Sequence, residues 1–263
     1  MTVALGGDGG DELFCGYDPF RALRRAELYE AAVPGKLHAA IRAIFARLPV
    51  SHRNMSLDFK IKRTLRGLSY DRRYWVPIWM APLDPVELSQ LFDEPVRLED
   101  VYSEAIEAWE KCPQDDLVDK TIQFYARIYL QDDILSKVDR ASMLHSLEVR
   151  APFLDIELVD FVRRIPSAWK IRRGTTKYIL KQALRGVLPE SILHRSKKGF
   201  GTPVGSWFEQ GALQVDPNTF RSFNHDFIAR KTEEHRRGKS DERAFLWNAY
   251  VLAKWGDAFS VDL

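Results

Sequence analysis

The 263-residue sequence predicts a mostly α-helical chain that starts on a single β-strand. Two observations predict this. A short apolar run, Met1 to Leu5, breaks into Gly6-Gly7-Asp8-Gly9-Gly10-Asp11-Glu12, the pattern of a strand end, a loop and a helix start. Almost everything after it places apolar residues at helical spacing. With 45% hydrophobic residues and no biased tract, the chain can bury a sizeable core as one or two globular domains.

In order along the chain, Phe20 to Ala32, Lys36 to Leu48 and Pro95 to Lys111 read as helices. Asp84-Pro85 opens another, the aspartate as N-cap and the proline in the first turn. Between Ser51 and Trp79 basic and aromatic residues alternate, as in Tyr70-Asp-Arg-Arg-Tyr-Trp75. Such a stretch suits a nucleotide or RNA, and equally suits long basic side chains lying over apolar surface. Asp132 and Asp133 are candidate caps for a helix carrying Ile134, Leu135, Val138 and His145 on one face, with His145 read as a packed histidine rather than a catalytic one. Pro152 forces Ala151 into an extended conformation and interrupts that helix. Asp155 caps the next helix, with Leu158, Val159, Val162 and Ile165 inward and Pro166 as its stop. Thr175 reads as the cap of a helix from Thr176 to Arg185 that Gly186 ends. Arg195-Ser-Lys-Lys-Gly-Phe-Gly is a basic loop, and Asp216 to Leu263 reads as amphipathic helix and polar loop.

Thirty-nine basic against thirty-seven acidic side chains leave a formal charge of +2, which does not suit a protein that coats nucleic acid or an anionic membrane; any bound anion is met locally. The two cysteines, Cys15 and Cys112, form neither a zinc pattern nor a disulfide framework, and a reducing, cytoplasmic setting is the expectation. No stretch approaches the roughly 18 apolar residues of a membrane span, and no basic-then-apolar leader is seen at the N-terminus.

A glycine loop at the carboxyl end of a parallel strand lets backbone N–H groups approach phosphates. Asp8, Asp11 and Glu12 add carboxylates to the same turn, which suits a magnesium-bound polyphosphate better than a bare anion. The same letters also describe a solvated acidic turn whose carboxylates favour a helix dipole.

Four stretches in fixed order then carry a resemblance. Val3 to Tyr17, Gln131 to Asp155, Gly174 to Leu184 and Arg195 to Gly201 resemble the synthetase domain of bacterial asparagine synthetases, and the match runs to about Trp207. The resemblance implies that the chain is the C-terminal part of an α/β ATP-pyrophosphatase domain that retains one N-terminal parallel strand. Residues 1–263 would be a partial synthetase domain, motif-matched over 1–207 and ending in a helical tail, 208–263. It implies ATP and Mg2+, with aspartate and ammonia or glutamine as the other small-molecule substrates. Gly6 and Gly7 would lie against the nucleotide or adenylate, Asp11 would ligate magnesium, Asp8 would serve the adenylate and the incoming ammonia, and Lys197 would contact the phosphates. Arg150 is a further nucleotide-binding candidate that could equally be a structural arginine paired with Glu148 or Asp155.

The chain departs from the family pattern in three places. Gly6 stands where the family usually has serine, so only a backbone amide remains there. The pyrophosphate loop S-G-G-x-D-S and the N-terminal glutaminase cysteine are both missing from these residues. The expected chemistry is conversion of aspartate to asparagine through a β-aspartyl adenylate; the alternatives are an amide-forming relative acting on another carboxylate and a non-catalytic fragment. A homo-oligomer is allowed but not specified. The isolated chain should make no amide, because a phosphate site with half its amides loses several charge-assisted hydrogen bonds of about 1.5–3 kcal/mol each. Calorimetric titration with Mg-ATP should therefore show no micromolar binding; micromolar affinity would refute this.

Overall fold

The computed structural model describes residues 2–47, 56–195 and 201–263. They form two compact units, one built from Met1–Ala32 with Ser103–Lys197 and the other from Val33–Tyr102 with Lys198–Leu263.

The first unit is helical around a two-stranded parallel sheet. Strand β1 (Val3–Leu5) pairs with β2 (Glu148–Arg150) in the register Val3 to Glu148, Ala4 to Val149 and Leu5 to Arg150. After β1 the chain crosses Gly9, whose φ of 87° is left-handed and whose missing Cβ makes room for Leu154, before the short helix Gly10–Leu13. That helix sends Leu13 and Phe14 into a cluster with Val162, and Leu154, Leu158, Val159 and Ile165 pack against it. The inward face read for the helix after Asp155 is therefore present. Asp155 caps helix Ile156–Arg163 through the N–H groups of Glu157 and Leu158, at 3.0 and 3.2 Å.

Three local readings are corrected here. Asp132 and Asp133 do not cap a helix, because they lie inside a continuous helical run, Leu117–Phe124, Tyr125–Leu135 and Ser136–Met143. The middle part of that run has π-helical bonding, a widened turn that sequence period does not announce. His145 is exposed rather than packed, in the turn that Ser146, with φ of 54°, completes before β2. Thr175 does not cap a helix but exchanges backbone hydrogen bonds with Arg172 at 2.9 and 3.0 Å, and the helix begins only at Tyr178.

The second unit buries Leu83, Leu91, Phe208, Phe220, Phe227, Ile228 and Leu246 in one core, so that the C-terminal helices pack with the Val33–Tyr102 part. Helix Pro85–Phe92 starts with a reciprocal capping box: Asp84 accepts from the Glu87 N–H, and Glu87 accepts from the Asp84 N–H. The basic and aromatic stretch is a packing device. Arg63 and Arg66 both reach the last carbonyls of helix Trp75–Met80, at Met80, Ile78 and Ala81, where cations complement the negative end of the helix. No helix of the described residues is long and apolar enough to cross a membrane.

Lys231 is buried in this unit between two carboxylates, Glu87 at 2.5 Å and Glu242 at 3.0 Å. Burial by itself would raise the Glu87 carboxyl, but Lys231, the Asp84 N–H and Arg66 together hold it below the usual carboxylate range. A carboxylate depressed in the folded state contributes stability that is complete above its unfolded pKa of about 4.3 and is lost as pH falls through the lower folded value. Glu87→Gln should cost about 1.5–3 kcal/mol at neutral pH, the range of a hydrogen bond between charged groups. It should also flatten the acid limb of stability below about pH 4.3. Urea denaturation as a function of pH measures both effects.

Candidate functional site

The loop that follows β1 begins with Gly6, whose N–H donates to the Arg150 carbonyl at 2.7 Å. That amide belongs to the sheet ladder rather than to an open anion cradle. A side chain at Gly6 would meet the Asp8 carboxylate, an added Cβ lying 2.8 Å from Oδ2, so Asp8 folds back over the strand end. Gly7 has nothing within 4 Å of an added Cβ, and its backbone is the open face of the loop. Asp8 is half-buried and makes no hydrogen bond or ion pair among the described residues.

Asp11, on the first turn of helix Gly10–Leu13, forms an ion pair with Lys177: Nζ lies 2.9 Å from Oδ1, and both side chains are about one-third exposed. The backbone aims Lys177. Its φ of 55° is left-handed, its N–H donates to the Phe14 carbonyl at 3.0 Å, and it stands immediately before helix Tyr178–Ala183. Gly16 makes the pair possible, because an added Cβ would sit 1.8 Å from Asp11 Oδ1 and 2.4 Å from Lys177 Cε. Beneath the loop, Glu12 is buried and accepts a hydrogen bond from the Tyr17 hydroxyl. Burial first, and then that carboxylate, push the Tyr17 phenol far above its ordinary value, which keeps it a neutral donor. Tyr17 stacks on Tyr125 at 4.8 Å and meets Tyr129 edge-on at 5.6 Å, so the π-helical turns form the wall behind the acidic helix.

Of the residues expected from sequence, Gly6, Gly7, Asp8 and Asp11 fall together at the carboxyl end of β1. Arg150 contributes its carbonyl to the loop, while its exposed guanidinium pairs with Glu148 at 2.7 Å, the structural alternative weighed from the sequence. Lys197 and its neighbour Lys198 lie outside the described residues. Lys177 was not singled out from the sequence. The signal that could have found it was its place in the Gly174-Thr-Thr-Lys177 stretch, a lysine three residues after a glycine at the start of a helical motif.

A magnesium ion here would be shared between protein carboxylate and a bound polyphosphate. Among the described residues no group of three His, Cys, Asp or Glu side chains is placed to hold a metal, so a site here would draw most of its ligands from elsewhere. Magnesium bound to a polyphosphate takes one or two carboxylates, phosphate oxygens and water, and Asp11 meets that requirement.

The glycine loop and its acid–lysine pair lie at the carboxyl end of a parallel strand, the place where open α/β sheets bind ligands. The chain belongs to the asparagine synthase family, whose model matches residues 1–257. It is 28% identical over 97% of its length to asparagine synthetase [glutamine-hydrolyzing] 1 of Bacillus subtilis, covering 40% of that protein. Asparagine synthetase [glutamine-hydrolyzing] 3 of the same organism is 42% identical over 28% of the chain, which covers 12% of that protein. The Gallus gallus asparagine synthetase [glutamine-hydrolyzing] is 30% identical over 57% of the chain and 30% of its own length. The chain thus spans about 40% of the length of its long-matching bacterial relative. No solved structure matches it.

Gly16→Ala should separate Asp11 from Lys177 and destabilise the first unit by about 1–3 kcal/mol, the usual cost of overpacking. Thermal denaturation checks the loss, and a Lys177→Ala background should absorb part of it because one of the two clashing groups is then gone.

Proposed function

We infer that the chain carries the adenylate-forming and amide-forming half of an ATP-dependent asparagine synthetase fed with ammonia from glutamine. The observation that carries this reading is the Asp11–Lys177 pair at the end of β1, in a chain of the asparagine synthase family. Amide formation from a carboxylate requires a better leaving group than hydroxide. The side-chain carboxylate of aspartate would attack the α-phosphorus of ATP, the bond to the β-phosphate oxygen would break, and pyrophosphate would leave.

Two anions must meet in this step, and Lys177 supplies a fixed cation for the charge that develops on the transferring phosphoryl group. Asp11 holds Lys177 in position and is the carboxylate that would contribute to a magnesium ion, which when bound would neutralise the departing pyrophosphate. Gly7 leaves its backbone open for the nucleotide to lie close. In the second step ammonia attacks the adenylate carbonyl and AMP departs. Asp8 makes no hydrogen bond or ion pair among the described residues and takes a proton from the new ammonium centre, a role of about 10²-fold to 10⁴-fold. Lys197 remains a second candidate for the phosphate-side charge, and aspartate as acceptor rests on the names of the relatives.

A chimera in which these residues replace the matched part of the Bacillus subtilis relative tests the reading. Lys177→Ala should lower turnover by about 10²-fold to 10³-fold with little change in the ATP constant, as expected for charge stabilised in the transition state. Asp8→Asn should retain pyrophosphate release better than amide formation. Larger losses in Lys197→Ala than in Lys177→Ala would move the cationic role, and an active chimera indifferent to Asp8, Asp11 and Lys177 would sink the proposal.

A further inference from the structure

The second unit contains a cleft of about 430 Å³, within the usual range of small-molecule sites and far from empty of charge. Its walls come from helices Gly35–Ala46 and Leu57–Gly67, the start of helix Pro85–Phe92 and the segment around Lys239–Ala244. The carboxylates of this cleft are already engaged. Asp84 pairs with Arg42 at 3.5 Å, and Asp241 with Arg243 at 2.8 Å. Glu242 is taken by Lys231 at 3.0 Å, and Asp58 also has a partner. Glu87 is shared three ways, by Lys231, the Asp84 N–H and Arg66, the last at 3.7 Å.

The cations are not balanced in the same way. Among the described residues Arg63 has no carboxylate within ion-pair distance. Its Nη2 donates to the carbonyls of Met80, at 3.1 Å, and Ala81, and its guanidinium lies 4.8 Å from the centre of the Phe59 ring. Its Nη1 makes no hydrogen bond among the described residues. Arg66, one helical turn on, converges on the same Ala81 carbonyl at 2.7 Å. Two guanidiniums thus share one neutral acceptor, while the nearby carboxylates Glu87 and Asp241 are each engaged by other cations, Lys231 and Arg243. Among the described residues the Nε atoms of both arginines and the Ser240 hydroxyl are buried without an acceptor, so this wall has a surplus of donors. Burial, then the neighbouring Arg66, lower the Arg63 guanidinium to about 10, and the more distant Asp241 and Glu87 offset this only in part.

We propose that this cleft is a binding site for a small oxyanion-bearing metabolite, whose phosphate or carboxylate is held by Arg63 with Arg66 behind it and whose body lies on Phe45 and Phe59. The planar guanidinium fork matches both oxyanions, and a guanidinium stacked on an aromatic ring is already oriented for them. The volume exceeds what an inorganic anion fills, which leaves room for an organic body. The site is lined entirely by the Val33–Tyr102 and Lys198–Leu263 unit and uses none of the residues assigned to the amide-forming reaction.

Inorganic phosphate and succinate, each titrated against the intact chain at constant ionic strength, serve as probes. At least one should give a saturable rise in melting temperature; phosphate alone identifies a phosphate ester as the ligand class, succinate alone a carboxylate. Arg63→Gln, which keeps a donor for the Ala81 carbonyl and removes the charge, should weaken that response at least tenfold, and Lys177→Ala should leave it unchanged. Loss in Lys177→Ala, whether alone or together with Arg63→Gln, would place the anion at the glycine loop and overturn the proposal, as would the absence of a saturable response to either probe. Should Arg63→Gln fail to fold, the unaltered chain decides. The effective probe should slow phenylglyoxal modification of Arg63 at least fivefold, read by mass spectrometry, and spare the exposed Arg97; equal rates with and without the probe would overturn the assignment.

Discussion

The Asp11–Lys177 ion pair is the interaction on which the architecture of the candidate site depends. It joins the first turn after β1 to a segment that arrives only after the long helical run and β2. Each partner is held by the backbone as well as by charge: Asp11 by the short helix that Gly9 opens, Lys177 by its left-handed conformation and its N–H bond to Phe14. A partly exposed pair is worth little in isolation. Here its value is positional, because it fixes a cation and a carboxylate oxygen beside an open glycine, and Gly16 keeps the space in which they meet.

The two units handle buried charge differently. In the first, Glu12 is satisfied by a phenol, and the stacked tyrosines around it exclude water from the back of the acidic helix. In the second, Lys231 is enclosed by two carboxylates, whereas the hydrogen bonds of Arg63 among the described residues go to carbonyls and its guanidinium lies over a ring face. Removing one member of a compensated buried pair is expensive, and a buried cation with neutral partners alone favours an anion from outside. The same physics makes one cluster a structural tie and underlies the proposal that the other is an anion site.

Much of the local structure was legible because it rests on short-range rules. Asp84-Pro85 with Glu87, and Asp155 before an apolar helical face, specify their own caps within four residues, and both are present. The errors fall where a distant element overrides the local signal. Asp132 and Asp133 have good capping chemistry, but the chain is already helical when it reaches them, so no free N–H groups await a cap. His145 sits at an inward helical spacing, yet the helix ends at Met143 and the turn carries it outward. Thr175 gives up its cap to the bridge with Arg172, which delays the helix and sets Lys177 at its entrance.

The sequence by itself determined the strand, the glycine loop with its acids, most helices and the four ordered stretches that resemble one family, because these depend on residue type, spacing and order along the chain. Tertiary structure alone decided that β1 pairs with Glu148–Arg150, that the Gly6 amide is consumed by that pairing, and that Lys177 is the cation beside Asp11. It also decided that Arg63 and Arg66 converge on one carbonyl. Each of these is a contact between segments far apart in the chain, and a one-dimensional pattern records which groups are available for such contacts but not which of them the folded backbone brings within a few ångströms.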